Sequence, residues 1–291
     1  MADMRHTPFD GASTPFTIGL RPLDLAQWIE IDETYERQIA EKQRLYATIP
    51  DLVFAAEAGT DKAQREVLRF LVTHMEALFP ERLVAWKSVE KHATPLRAAS
   101  TLVQEDLILM RRGESGWRLA AGSLCFPSSW VLTEKFGLPL HQIHQPVPGF
   151  GQGTRNAELI HRMFDNLQPE RPVQRFNWSI QAGDALYHPL SATNRTGRAE
   201  KRPSRFGSDA AAAFIRVERQ TLRKLPIAGD ILFTIRIYLD PLAWIGRQKN
   251  GRSIAASFAA QLRSLDAAQL DYKGLAADRD MLAQTLDQMA A

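Results

Sequence analysis

At 291 residues, with a formal net charge of +3 and 45% hydrophobic side chains, the chain has the make-up of a globular protein able to bury a substantial core, not of a fibrous or disordered one. Lys and Arg outnumber Asp and Glu by only 36 to 33, which gives no argument for nucleic-acid binding, since that calls for a basic stripe interleaved with aromatics. Cys125 is the single cysteine, so an internal disulfide, a cysteine-ligated iron–sulfur cluster and a zinc ribbon are all excluded. The first residues, MADMRHTPFDGASTPF, lack the apolar core of a secretory signal, and no window approaches the ~18 apolar residues of a membrane span. A cytoplasmic protein without nucleic-acid or membrane partners is the expectation.

Residues 1–20 read as an extended arm. From Asp24, the residues Leu25, Trp28, Ile29, Tyr35, Ile39 and Leu45 recur loosely at helical spacing, and Pro50 closes that segment. A clearer helix begins near Thr60–Asp61, carries Val67, Leu68, Leu71, Met75, Leu78 and Phe79, and stops at Pro80, because proline cannot continue the hydrogen-bond ladder. DLILMRRGESGWRLAAGSLCF is two apolar runs around a charged, glycine-containing turn, the pattern of a hairpin. In SSWVLTEKFG the serines are suited to cap a helix and Gly137 to end it. TRNAELIHRMFDNL repeats Leu159, Ile160, Met163, Phe164 and Leu167 at helical spacing. Three strands are then expected at 173–180, 212–225 and 230–239, the last two joined by the short PIAGD turn and so antiparallel. Residues 252–290 return to helix.

This order predicts an α+β chain: a mainly helical extension (1–95), a five-stranded antiparallel sheet with intervening helices (96–245), and a helical C-terminal segment (246–291). Two strands, helices, then three strands is also the order of a PAS domain, in which the helical segment grips a ligand against the sheet.

Alternation assigns faces within the late strands. Arg175, Asn177 and Ser179 oppose Phe176, Trp178 and Ile180. Arg216, Glu218 and Gln220 oppose Ile215 and Val217. Thr234, Arg236 and Tyr238 oppose Phe233, Ile235 and Ile237. Three polar faces, each bearing an arginine, describe either a solvated sheet surface with cross-strand pairs or the wall of a polarised pocket.

His141 and His144 sit three apart in HQIHQPVPGF. Two imidazoles at that spacing suit zinc, but no third ligand lies nearby and no HExxH motif exists. One neutral imidazole in a rigid apolar setting also suits an axial haem ligand, and a loop histidine bonded to backbone is the plain alternative. Gly149, Gly151 and Gly153 follow Pro-Val-Pro instead of a strand and lack dinucleotide spacing. Arg195, Arg198, Lys201, Arg202 and Arg205, in the basic loop 193–209, are either a solvated loop or a dock for an acidic partner.

LCFPSSWVLTEKFGLPLHQIHQPVPGF, RFNWSI, RVERQTLRKLP and ILFTIRIYLDPL together resemble the haem-dependent oxidative N-demethylase family, whose members look like the alpha subunit of dimethylamine monooxygenase. The likeness spans roughly residues 20–275 and ends on YKGL (272–275). It implies a haem-binding, PAS-like enzyme carrying haem b, which uses dioxygen to convert a small secondary amine to a primary amine and formaldehyde. Electrons are expected from NADPH through a partner reductase holding flavin and an iron–sulfur centre. By the same resemblance His144 is the iron ligand, with His161 its competitor, and Pro148, Phe150 and Arg175 lie beside the cofactor. Asn177, Arg216, Glu218, Gln220, Arg236 and Tyr238 are expected to orient the amine and the dioxygen, with Glu218 the counter-ion of a cationic substrate. The alternative function is a non-catalytic haem sensor of gas or small ligands.

Overall fold

An antiparallel sheet of seven strands organises the computed structural model, which describes residues 4–87, 94–190, 204–206, 210 and 212–291. The chain runs through β1 (Arg21–Pro22), α1 (Tyr35–Thr48), α2 (Pro50–Val53), β2 (Phe54–Ala56), α3 (Asp61–Leu78), α4 (Pro80–Lys87) and α5 (Pro95–Ser100). The hairpin β3 (Asp106–Gly113) and β4 (Gly116–Ser123) follows, then α6 (Leu132–Lys135), α7 (Leu140–Ile143) and α8 (Arg155–Asn166). Three long strands, β5 (Val173–Ala182), β6 (Ala213–Lys224) and β7 (Ile231–Pro241), precede α9 (Gly251–Ser264), α10 (Ala267–Lys273) and α11 (Arg279–Ala290). The basic residues Arg195, Arg198, Lys201 and Arg202 lie outside the described residues.

Strand order is β1-β5-β6-β7-β3-β4-β2, so the five predicted strands form the centre. The expected five-stranded sheet is therefore corrected to seven: β1 and β2 add one short edge each. At two and three residues they are too short to carry an alternation signal. The helix expected from Asp24 also begins later. Leu25–Gln27 is a single 3₁₀ turn capped by the Asp24 carboxylate on the Ala26 N–H, and α1 starts at Tyr35. Pro50 opens α2 at its first helical position, where its missing N–H costs nothing.

Helix α3 forms as its pattern dictates. Val67, Leu71 and Met75 fall on one face and are fully buried against α5 and β3, each contributing about 1.5–3 kcal/mol of transfer free energy. Pro80 stops it. The β6–β7 hairpin closes through Leu225 N–H to Asp230 C=O (2.8 Å), with Gly229 at φ 78°. Arg111 of β3 grips the Asp230 carboxylate with two nitrogens (Nε 3.1 Å, Nη2 2.7 Å), tying that hairpin to its neighbour.

Register sorts the two faces of the sheet. Asn177, Glu218 and Ile237 stand in one cross-strand row, and Arg175, Gln220 and Ile235 in the next. Ile108 of β3 sits opposite Phe233, and a β-bulge at Ala120 brings Leu119 opposite Met110. This first face meets α6, α7 and α8, and Gly122 lets α6 approach closely: a Cβ there would lie 2.9 Å from Leu132. The second face packs on the C-terminal helices around Trp178, Val217 and Phe258, and on α3 and α5 around Leu107 and Leu109.

A buried charge network fixes the segment after β4. The Asp106 carboxylate accepts from the Cys125 and Phe126 N–H groups (2.9 and 2.8 Å). Lys42, fully buried, donates to the carbonyls of Ser100, Val103 and Glu105 and lies 3.9 Å from Asp106. Among the described residues, no helix is long and apolar enough to cross a membrane.

Candidate functional site

Between the first sheet face and the α6–α8 layer lies a cavity of about 260 Å³. Its apolar wall is built by Ile108, Met110, Phe150, Ile160, Met163 and Phe164. Helix α8 presents Ile160, Met163 and Phe164 inward because they recur at helical spacing, and Thr154 caps it by accepting from the Ala157 N–H (3.2 Å). The N-terminal arm closes one side with Phe16, Ile18 and Leu20, so a segment that read as a loose tail is a wall of the site.

His144 caps the single turn α7, its N–H bonded to the Leu140 carbonyl (3.0 Å). The following turns, Val147 N–H to His144 C=O (2.8 Å) and Phe150 N–H to Val147 C=O (3.0 Å), hold the Pro-Val-Pro-Gly loop. Asn156 pins it again through the Gly149 carbonyl. The His144 ring lines the cavity and has no hydrogen-bond partner among the described residues. Burial pushes its pKa down to about 4, and the charges of Arg175 and Lys135 push the same way, so the ring is neutral at physiological pH.

The sheet contributes the polar wall. Arg175, Asn177, Ser179, Glu218 and Gln220 all face the cavity. Oε2 of Glu218 accepts from the Gln220 side-chain amide (2.8 Å) and, at the limit of hydrogen bonding, from Asn177 (3.5 Å). Among the described residues Oε1 has no partner. The sequence expectation of a polarised pocket wall holds for β5 and β6.

It fails for β7, whose cavity face is apolar. Phe233 and Ile235 line the cavity, whereas Arg236 and Tyr238 point to the other face. There Arg236 donates to Asp32 (2.5 Å) and Gln38 (2.8 Å), and the Tyr238 hydroxyl donates to Glu30. The register explains this: Tyr238 pairs with Val217 and Arg236 with Arg219, not with the Arg216–Glu218–Gln220 row. Alternation assigns faces within a strand but not between strands. Arg216 shares the face of Glu218 yet lies beyond the cavity, donating to the carbonyls of Phe126 (2.6 Å) and Leu186 (3.3 Å).

Pro148 also stands outside the lining, where Pro146 and Val147 take its place. His161 sits on the outer side of α8, 47% exposed and 3.4 Å from Asp165. With His141 it borders a separate hollow of about 30 Å³ behind His144.

Tyr272 and Lys273 complete the site. Helix α10 is closed at both ends, by an Asp266–Gln269 capping box and by Gly274 at φ 66°. That delivers Lys273 to the edge of β5, where its ammonium donates to the Trp178 carbonyl. It lies over the Trp178 and Phe16 rings (4.4 and 5.1 Å to the centroids). Burial brings its pKa down to about 8, against the pull of Glu218. The sequence signal was the YKGL stretch.

The model of a known family, haem-dependent oxidative N-demethylase, alpha subunit-like, matches residues 19–283. The chain belongs to that family. Its description makes haem the cofactor against which the cavity is to be tested. A haem needs an imidazole that is neutral and unshared, and an apolar slot for the macrocycle. His144 is neutral and unshared and sits among apolar side chains. The ring of His161 is exposed, shared with Asp165 and outside the cavity lining. Among the described residues there is no cluster of three or more histidine, cysteine or acidic side chains able to hold a metal on its own.

Proposed function

We propose that the chain is the haem-carrying subunit of a monooxygenase that removes a methyl group from a small secondary amine. The observation that carries the reading is the pairing of two unlike groups in one apolar chamber. The helical layer offers the neutral, unshared His144 ring, and the sheet offers a carboxylate fixed by two amides. The five long strands, in the spatial order β5-β6-β7-β3-β4 with the helical segment between the second and third in sequence, support a PAS-like reading of the fold.

In this reading His144 would hold the iron, and Phe150, Ile160, Met163 and Phe164 would cover the macrocycle. When bound, the haem supplies the oxidation of the methyl carbon by dioxygen. Every other task falls to side chains. Asn177 and Gln220 occupy Oε2 of Glu218 and so aim Oε1 at the amine, which enters as an ammonium ion. Oε1 accepts an N–H hydrogen bond and can hold the proton that leaves when the nitrogen becomes neutral. The apolar walls exclude water, which strengthens this contact. The balance is a secondary N-methylamine, dioxygen, two electrons and two protons giving a primary amine, formaldehyde and water. The two electrons come from NADPH through a separate reductase subunit with flavin and an iron–sulfur centre.

A gas sensor needs no carboxylate in its cavity wall, and the Glu218–Asn177–Gln220 cluster weighs against it. The test is to supply the haem-loaded chain with NADPH and a reductase and to measure formaldehyde across a set of secondary N-methylamines. Release in proportion to NADPH consumed supports the enzyme. A chain that binds haem and dioxygen but releases no formaldehyde from any of them contradicts it.

A further inference from the structure

The charges around the cavity do not balance for the ligand just proposed. Lys135, Arg175 and Lys273 line it, and Glu218 is the one carboxylate in its lining. Lys135 is engaged, donating to the Ile143 carbonyl (2.6 Å). Neither Arg175 nor Lys273 forms a close ion pair with a carboxylate among the described residues, and Glu218 acts on both without touching them. Nε of Arg175 is buried without any hydrogen bond. Lys273 is only 9% exposed, and its ammonium donates to a single carbonyl. Glu218 does not balance them, because its single carboxylate charge faces two cations. A cation taken out of water without an anion is costly, so two such groups on one wall call for a negatively charged ligand. A plain alkylammonium ion would leave them unanswered and add to the excess positive charge.

We infer that Arg175 and Lys273 form a carboxylate-binding site in the cavity wall. Arg175 offers a planar fork that matches a carboxylate, and Lys273 a point charge whose remaining N–H groups are uncommitted. Two sources of carboxylate fit, and both rest on the reading of the cavity given above. One is a propionate of the haem. The other is the substrate itself, as an N-methylamino acid whose ammonium meets Glu218 while its carboxylate meets Arg175 and Lys273.

The experiment compares the wild-type chain with Arg175→Gln and Lys273→Met, each checked for an intact fold by circular dichroism, alongside the charge-keeping Arg175→Lys and Lys273→Arg. Haemin and haemin dimethyl ester are titrated into the haem-free chain by absorbance. N-methylglycine and dimethylamine are titrated by calorimetry into the haem-loaded and haem-free chains. The wild type is expected to favour one carboxylate-bearing ligand over its counterpart by roughly tenfold or more, the value of a charge-assisted hydrogen bond. That preference should collapse in the neutral variants and persist in Lys273→Arg. Collapse of the haemin preference alone assigns the site to the propionate, and collapse of the N-methylglycine preference assigns it to the substrate. A wild type with neither preference, or neutral variants that fold and keep both, overturns the inference. If the wild type binds no haemin, the haem reading fails by itself, and the N-methylglycine titration of the haem-free chain still decides the site.

Discussion

Asn177 and Glu218 stand directly opposite each other across the β5–β6 ladder, and the Asn177 amide points to the same carboxylate oxygen that Gln220 already holds. The two amides leave Oε1 as the free acceptor. Glu218→Gln keeps the shape and removes the charge, so it should raise KM for an amine substrate about 10- to 100-fold, the worth of a hydrogen bond to a charged group. The haem absorption should not change. Steady-state kinetics together with a spectrum check this, and loss of the haem band in Glu218→Gln would place the carboxylate in cofactor binding instead.

Much of this was legible in the sequence, and the reasons for the rest are specific. Strands β3 to β7 and helices α3 and α8 carry long, regular patterns, and each lies where its pattern put it. SSWVLTEKFG misled in part. Ser128 and Ser129 line the cavity, Ser129 with φ 62°, while α6 starts at Leu132 without a side-chain cap. Glu218, Gln220, Asn177 and Arg175 share one cavity wall because β5 and β6 pair in continuous register. Arg236 and Tyr238 were misplaced because nothing within one strand states which of its faces meets the neighbour's polar row. Phe16, Tyr272 and Lys273 arrive from opposite ends of the chain, and although YKGL marks the last two as a motif, only tertiary packing brings all three to the cavity.

Lys42 is the strongest structural prediction. Its ammonium is enclosed by three carbonyls and Asp106, and burial lowers its pKa. Lys42→Met should cost about 3–5 kcal/mol, because it strands the Asp106 carboxylate and the carbonyls in the interior. Urea denaturation measures it. A loss under about 1 kcal/mol, the range of a surface pair, would mean that the network does not hold the fold.

Asp240 gives a pH dependence of known sign. Burial pushes its carboxyl up to about 6 from an ordinary 3.8, with Asp32 and Glu33 acting in the same direction. Between those values the folded state binds more protons than the unfolded one. Its contribution to stability is therefore present in acid and lost as pH rises through about 6. Asp240→Asn should stabilise the chain near pH 8, by about 3 kcal/mol at most, and change little near pH 4. Thermal melts at both pH values check this, and an equal gain at both would contradict it.

The central claim is that His144 holds a haem, and an absorption spectrum tests it most directly. The purified chain, reconstituted with haemin, should show an intense Soret band. That band should be lost or strongly shifted in His144→Ala and unchanged in His141→Ala and His161→Ala, with added imidazole restoring it in His144→Ala. A wild-type chain that takes up no haemin, or a band that survives His144→Ala and disappears in His161→Ala, would contradict the account.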